Sequence, residues 1–253
     1  MTDLAAKASE LLRLHHTGTT LVLPTVWDAW SARTVVAAGF PALSVGSHPL
    51  ADSRGQKDNE GMTLDDALDG IRRITAAVDV PVTADLESGY NTPAAELVDR
   101  ALDAGIAGIN IEDTVHSESR LRDLTEHADY IAALRAAADQ AGVELVINAR
   151  TDALITKLVT FDDPLTEAVD RSKACESAGA RCVYPVGVPN AEALQTLLKE
   201  LSGPLNVTAD PVKGAYSGSY AELQAAGVHR ITFGPLLQFT LTEKITELLN
   251  PWH

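Results

Sequence analysis

The sequence predicts an α/β protein in which eight parallel strands close into a TIM-type (β/α)₈ barrel, as a single domain over residues 1–253. Two observations support this. Short runs rich in β-branched residues alternate with longer, alanine-rich amphipathic segments, and many of these segments are followed by a glycine just before the next run. The alternation is typical of βα units, and a glycine after a helix suits the left-handed conformation that ends it. Eight units in succession favour a closed barrel.

The predicted elements follow one another along nearly the whole chain. The strands are expected at residues 21–26, 42–47, 81–86, 108–113, 144–151, 180–186, 205–209 and 230–234. The helices are expected at residues 29–38, 64–78, 93–104, 128–141, 164–177, 191–201 and 220–226. The glycines that follow helices are Gly39, Gly105, Gly142, Gly179, Gly203 and Gly227. Residues 51–62 are charged and contain glycine, which predicts a mobile βα loop.

An open, doubly wound sheet is the main competing architecture. Such a sheet usually has fewer strands and a glycine-rich turn after the first of them. Here the first strand runs on through Trp27, Asp28 and Ala29 with no G-x-G-x-x-G pattern. The dinucleotide-binding fold is therefore disfavoured.

Composition excludes several classes of partner. The chain is 45% hydrophobic and 22% charged, which is ordinary for a globular protein. Its 35 acidic and 20 basic residues give a formal charge of −15, which argues against nucleic acid and anionic membrane surfaces as partners. No apolar run approaches the roughly 20 residues of a membrane span. Residues 1–17 are charged and helical in pattern, so we expect no signal peptide and a cytoplasmic location. Cys175 and Cys182 are expected to be buried free thiols.

Polar residues stand at the carboxyl ends of the predicted strands, where barrels carry their catalytic groups. Alternate side chains of a strand share one face. Asp85 therefore shares a face with Glu87, and Glu112 shares one with Asn110, while Arg150 lies on the same face as Asn148 on the next strand. We expect this polar face to point into the barrel mouth.

The acidic residues of this face predict a metal site. Asp85, Glu87 and Glu112 are expected to converge within a few ångströms, where like charges raise each other's pKa. A divalent cation relieves that repulsion, and oxygen ligands with room for water suit Mg²⁺, with Mn²⁺ as the alternative. Arg150 offers a planar fork for a substrate carboxylate. The alternative is that Arg150 only neutralises the carboxylates in a structural ion-pair network.

At these residues the chain resembles the isocitrate lyase/phosphoenolpyruvate mutase superfamily. The likeness runs from about Leu21 to about Leu237, in register with the eight strands. Its motifs are residues 27–29, 44–47, 83–90, 104–113 and 146–152. The resemblance implies an α/β barrel, Mg²⁺, a small-molecule 2-oxo acid substrate that passes through a pyruvate enolate, and a homo-oligomer, either a dimer or a tetramer.

The resemblance also implies roles for individual residues. Asp85 matches the direct metal ligand, and Glu87 and Glu112 match acidic positions that act largely through metal-bound water, with Asp58 near the metal. The residues that match the substrate pocket are Trp27, Asp28, Ser44, Gly46, Ser47 and Arg150. Arg150, Asp58 and Ser47 are the catalytic candidates on this basis. His48, His116 and Tyr184 are further candidates from their positions on the active face.

The segment after Asp113 departs from the family pattern. Isocitrate and methylisocitrate lyases carry a loop with a cysteine that protonates the product, whereas residues 114–121 contain no cysteine. This segment, residues 114–121, is called the lid below. The lysine and asparagine that phosphonate mutases carry at this place are absent from it as well. The leading hypothesis is a lyase or decarboxylase that cleaves the C–C bond next to the carbonyl of an oxaloacetate-like 2-oxo dicarboxylate. A C–P bond enzyme, acting as phosphonopyruvate hydrolase or phosphoenolpyruvate phosphonomutase, and a non-catalytic 2-oxo-acid binding protein remain open.

Overall fold

Parallel strands form the centre of the molecule in the computed structural model, which describes residues 2–252. Eleven strands are present in the described chain. They are β1 (Leu21–Leu23), β2 (Thr25–Val26), β3 (Leu43–Val45), β4 (Val82–Asp85), β5 (Gly108–Glu112), β6 (Thr114–Val115), β7 (Arg120–Leu121), β8 (Val146–Thr151), β9 (Cys182–Pro185), β10 (Asn206–Thr208) and β11 (Arg230–Thr232).

Nine of these strands form a closed ring. Strands β2, β3, β4, β5, β8 and β9 pair in that order, and β1 pairs with β11, which pairs with β10. A parallel bridge between Val183 and Leu205 joins the two groups on one side. On the other side β1 runs into β2 through Pro24, which has no N–H to give to a ladder. Because β1 and β2 together form one barrel strand, all eight predicted strands and the barrel itself are confirmed.

The helices cover the outside of the ring. They are α1 (Thr2–Leu14), α2 (Ala29–Ala37), α3 (Ser47–Ser53), α4 (Leu64–Thr75), α5 (Ala94–Asp103), α6 (Leu124–Gln140), α7 (Pro164–Ser177), α8 (Ala191–Glu200), α9 (Tyr220–Ala226) and α10 (Leu236–Leu249). Five of the six glycines predicted to end helices have positive φ angles, and Gly203 does not, because α8 ends in an extended residue, Leu201. The predicted loop at residues 51–62 is partly wrong, since α3 continues to Ser53.

The two ends of the barrel differ in how they are closed. Ala8 and Leu11 of α1 pack with Leu23, Ala107 and Val146 and close the amino-terminal end with an apolar cluster. At the carboxyl end the polar strand ends line a cavity instead. None of the helices within residues 2–252 combines the length and apolarity needed to cross a bilayer.

Both cysteines match the sequence prediction. Cys175 and Cys182 are buried and unbonded to each other. Burial raises the pKa of each thiol to about 12, so both remain protonated at neutral pH. They are therefore packing residues and not nucleophiles.

Candidate active site

A cavity of about 230 Å³ opens at the carboxyl ends of the barrel strands. Six residues of the predicted site line it: Ser44, Gly46, Ser47, Asp58, Asp85 and Arg150. Further lining residues are Thr25, His48, Pro49, Asn110, Tyr184, Val186, Thr208, Thr232, Gly234 and Pro235. The position matches the face where barrels carry their binding sites.

The segment after β3 forms one wall of the cavity. The hydroxyl of Ser47 donates to Oδ2 of Asp85 at 3.2 Å. Helix α3 begins at Ser47, and the first N–H groups of a helix have no carbonyl partner within it. A Cβ on Gly46 would lie 2.7 Å from a methyl of Thr25 and 2.9 Å from the ring of Pro49. Only glycine fits at position 46, because any side chain there would overlap Thr25 and Pro49.

Asp85 stands at the end of β4, on the cavity wall. Its Oδ1 accepts from the backbone N–H of Glu87 at 3.1 Å. Burial raises the pKa of Asp85; Arg150 opposes this shift and the negative charge of Asp58 adds to it, so the pKa stays above its ordinary value. Its ionised form therefore needs further positive charge.

Glu87 does not line the cavity, contrary to the prediction. Its φ of 49° is in the left-handed region, so the strand alternation that should have turned it toward Asp85 has ended. Within the described chain its Oε1 accepts from the hydroxyl of Tyr90 at 2.8 Å and its Oε2 from the backbone N–H of Glu60 at 2.5 Å. Burial, with the charge of Asp85, raises the pKa of Glu87 to about 8.

Glu112 is the last residue of β5, and both of its carboxylate oxygens contact other side chains of the protein. Its Oε2 lies 2.6 Å from Nη1 of Arg150, and its Oε1 lies 2.5 Å from Nε2 of His116 on the lid. Burial raises the pKa of Glu112 to about 7 although Arg150 opposes the shift. Within residues 2–252, no group of three or more acidic, histidine or cysteine side chains is placed to hold a metal together. The predicted site needs no such direct cluster, because only Asp85 was expected to bind the metal directly, and the roles of Asp85, Glu87 and Glu112 at a metal stay a prediction.

The donor chemistry still fits a hard divalent cation at Asp85. The negative charge of Asp58 raises the pKa of both Asp85 and Glu87, and the charge of Asp85 raises the pKa of Glu112, so these acidic groups lie close to one another. Oδ1 of Asp58 is buried without a hydrogen-bond partner in the described chain. Mg²⁺ commonly takes one or two direct carboxylates and keeps several waters. Asp85 would hold the ion directly, and the other acids would act through water.

Arg150 faces the same cavity from β8. Its Nε donates to Oδ1 of Asp152 at 2.8 Å, while its Nη1 pairs with Glu112. Burial lowers the pKa of Arg150, but Glu112, Asp152 and Asp85 outweigh this effect and hold the pKa well above its ordinary value. The guanidinium is therefore permanently charged and held in one orientation.

Two of the further candidates from the sequence, Tyr184 and His48, line the cavity, together with residues that the sequence did not single out. Tyr184 of β9 lines the cavity and shares a hydrogen bond with the hydroxyl of Thr208. His48 also lines it and lies 3.2 Å from Asp58, between Nδ1 and Oδ2. Thr25 and Thr232 were not singled out, although each stands at or beside the carboxyl end of a barrel strand. That position was the signal that would have found them.

Trp27 and Asp28 lie outside the cavity, contrary to the prediction that they line the substrate pocket. Both line a separate surface depression beside Trp30 and Arg73. The side chain of Asp28 accepts from the backbone N–H of Ser31 at 2.7 Å and caps helix α2. A short polar side chain at a helix start satisfies one of the unpaired N–H groups of that helix. Asp28 therefore bonds to the start of α2 and does not face the cavity.

We expect Asp28→Ala to change stability and not ligand binding. Loss of an N-cap costs about 1 kcal/mol of the free energy of unfolding, which urea denaturation will measure. Affinity for oxalate, a mimic of the pyruvate enolate that the family resemblance implies, should stay at the wild-type value when measured by calorimetry. A large loss of oxalate affinity with little change in the free energy of unfolding would instead show that Asp28 contacts the ligand.

The fold and the site define a class: closed βα barrels with a small polar cavity at the carboxyl ends of their strands, lined here by one guanidinium and two carboxylates. The family model described as phosphoenolpyruvate phosphomutase matches residues 11–250. The chain belongs to the phosphoenolpyruvate mutase/isocitrate lyase superfamily.

Three relatives show the range of activities in this superfamily. The crystal structure of a 2,3-dimethylmalate lyase superposes with a TM-score of 0.84 at 29% identity, covering 97% of this chain and 86% of that one. An oxaloacetate acetylhydrolase in complex with its product oxalate superposes with a TM-score of 0.85 at 25% identity, covering 97% and 86%. The phosphoenolpyruvate phosphomutase of Streptomyces hygroscopicus is 34% identical over 168 residues, 63% of this chain and 52% of its own length. The relatives are thus lyases, hydrolases and mutases.

Proposed function

We propose that this protein is a Mg²⁺-dependent carbon–carbon lyase or decarboxylase that acts on a small, oxaloacetate-like 2-oxo dicarboxylate through a pyruvate enolate. One observation carries the proposal: Asp85 and Arg150 face the same cavity of about 230 Å³. The first is suited to hold a cation and the second to bind a carboxylate. The names of the relatives that act on oxaloacetate and dimethylmalate support a substrate of this size.

The residues of the cavity would act mainly by binding and orienting. Arg150 offers its guanidinium to a substrate carboxylate, and the hydroxyl of Ser44 and the backbone N–H of Ser47 at the start of α3 can donate to the oxygens of the 2-oxo acid. When bound, Mg²⁺ supplies Lewis-acid polarisation of the substrate carbonyl. As the C3–C4 bond breaks, CO₂ leaves and the electron pair moves toward the C2 oxygen, where fixed donors stabilise the growing negative charge.

A proton must then reach C3 to give pyruvate. The lid carries no cysteine for this step. Tyr184 lines the cavity, and burial, opposed by the charge of Arg150, raises the pKa of Tyr184 above its ordinary value. Its hydroxyl therefore stays protonated at neutral pH, as an acid must be. Tyr184 is the group within the cavity that we propose as the proton source.

A C–P bond enzyme is the second candidate, supported by the matching family model and the Streptomyces relative. Phosphonopyruvate carries more negative charge than oxaloacetate. The described lining of the cavity offers one guanidinium and two carboxylates. This balance favours the less charged substrate.

Activity with three substrates will test the proposal. In the presence of Mg²⁺ we expect pyruvate from oxaloacetate, followed by a coupled lactate dehydrogenase assay, and loss of that activity with EDTA. The variant Arg150→Met, prepared and assayed in the same buffer, serves as the control for spontaneous decarboxylation. Tests with 2-methylisocitrate and phosphonopyruvate run in parallel.

Each other outcome has a defined meaning. Phosphate release from phosphonopyruvate would support the C–P candidate instead. Mg²⁺-dependent thermal stabilisation by oxalate without turnover of any substrate would indicate a binding protein. Failure to turn over any carbon–carbon substrate would overturn the leading proposal.

A further inference from the structure

Asn110 occupies a central position in the wall of the cavity. It lies in β5, with Asp85 of β4 on one side and Asn148 of β8 on the other in the strand register. It lines the cavity although only 6% of its surface is exposed. Its amide group has two chemically different ends, so its function depends on which end faces the ligand.

The interior of the barrel decides that orientation. Nη2 of the fully buried Arg230 lies 3.1 Å from the amide of Asn110. A guanidinium has donors and no acceptor, so the amide atom that faces it must be Oδ1. Nδ2 of Asn148 donates to the same oxygen at 2.9 Å. A flipped amide would set its N–H groups against these donors, which makes the flip unfavourable.

The other end of the amide therefore faces away from the interior. Within residues 2–252 no protein atom accepts a hydrogen bond from Nδ2 of Asn110, and this nitrogen is not among the enclosed polar atoms that lack a partner. Since Asn110 lines the cavity, its Nδ2 is a neutral donor on the same wall as Asp85. It can bond an anionic oxygen without pairing with the acidic groups as a cation would.

The burial of the Arg230 guanidinium is energetically unfavourable. Its Nε and Nη1 have no partner in the described chain. Burying a cation with unpaired N–H groups is unfavourable, and burial lowers the pKa of Arg230 accordingly. Its hydrogen bond to Asn110 is the contact that links this buried charge to the cavity.

We infer that Asn110 is a substrate-binding residue whose amide N–H donates to an anionic oxygen of the bound 2-oxo acid, and that Arg230 is a positioning residue that acts through Asn110. The inference rests on the proposed function, because it takes a 2-oxo acid as the ligand. It adds a neutral donor to the recognition that Arg150 and the serines provide.

The first experiment uses oxalate as the probe, titrated by calorimetry in Mg²⁺. The change Asn110→Asp keeps the shape and still accepts from Arg230 and Asn148, but it removes the donor. We expect oxalate affinity to fall about 10- to 100-fold, the usual loss for a hydrogen bond to a charged group. Asn206→Asp is the matched control, since Asn206 is also buried and does not line the cavity. Its affinity should stay within about threefold of wild type.

The second experiment separates positioning from structure. Arg230→Met removes one of the two donors that fix the amide and leaves only Asn148, and we expect about tenfold weaker oxalate binding. Arg230→Lys keeps a donor toward Oδ1 and should restore most of the affinity. In a double-mutant cycle, Arg230→Met should weaken binding no further once Asn110→Ala is present. A merely structural Arg230 would weaken binding equally in both backgrounds.

The outcomes distinguish the two proposals. If Asn110→Asp binds oxalate as well as wild type, the role of Asn110 is wrong and the proposed function stands. If the cycle is additive, or if Lys fails to rescue, the role of Arg230 is wrong. If wild type does not bind oxalate in Mg²⁺, both the inference and the proposed function fail.

Discussion

Replacing Asp85 with alanine is expected to abolish Mg²⁺-dependent oxalate binding and to reduce turnover by about 1,000-fold or more, the loss of several kcal/mol of charge stabilisation. Asp85 is the acidic group whose side chain faces the cavity from a barrel strand, and the hydroxyl of Ser47 donates a hydrogen bond to it. Without Asp85 the remaining acids would hold an ion only through water. Calorimetry with oxalate, at saturating and at zero Mg²⁺, measures the effect.

Stability should not account for this loss. The raised pKa of Asp85 means that the fold disfavours its ionised form, so the folded state binds its proton more tightly than the unfolded chain does. At neutral pH the carboxylate therefore destabilises the fold, and its removal should leave the free energy of unfolding unchanged or higher. Asp28→Ala is the matched control, because the same change at a helix cap should spare binding. Unaltered Mg²⁺-dependent binding by Asp85→Ala would refute the assignment.

Replacing Arg150 with methionine has the second largest expected effect. Truncating one partner of a buried, hydrogen-bonded charge pair costs about 2–5 kcal/mol, so we expect oxalate affinity to fall by about 30-fold or more. Arg150→Lys keeps the charge but loses the planar fork, and its affinity should be intermediate. Both values come from calorimetry with the metal at saturation.

A double variant decides between a substrate-binding Arg150 and one that only neutralises Glu112. Arg150→Met leaves Glu112 buried without its cation, at the 2.6 Å contact that now pairs them. Glu112→Gln removes that charge. If Arg150 binds the substrate, the variant Arg150→Met/Glu112→Gln should regain stability but remain weak for oxalate. Recovery of affinity in the double variant would support the purely structural role.

The barrel could be predicted because its signals are local. The alternation of side chains in β5 places Ile109 and Ile111 toward the helices and Asn110 toward the interior, and the structure agrees. The glycine at 105 has the positive φ that its place after a helix predicts. Such features depend on the conformation of a few neighbouring residues, and these conformations follow the residue types.

Glu87 shows where local reasoning stops. The rule that alternate residues share a face holds only while the backbone is extended, and the left-handed φ of Glu87 ends the rule one residue after Leu86. Its partner Glu60 is 27 positions away in the chain, in the loop after α3. No pattern around Glu87 shows that this loop would return to it.

The sequence by itself determined the eight-stranded barrel, the face that carries its polar residues and the placement of Asp85, Ser47 and Arg150 on that face. Only the tertiary structure decided which partner each acidic side chain takes. His116 on the lid occupies Glu112, and Arg230, 120 positions from Asn110, orients the amide in the cavity. The reason is physical: strand and helix periods are set by neighbouring residues, whereas hydrogen-bond partners are set by distances that exist only once the barrel has closed.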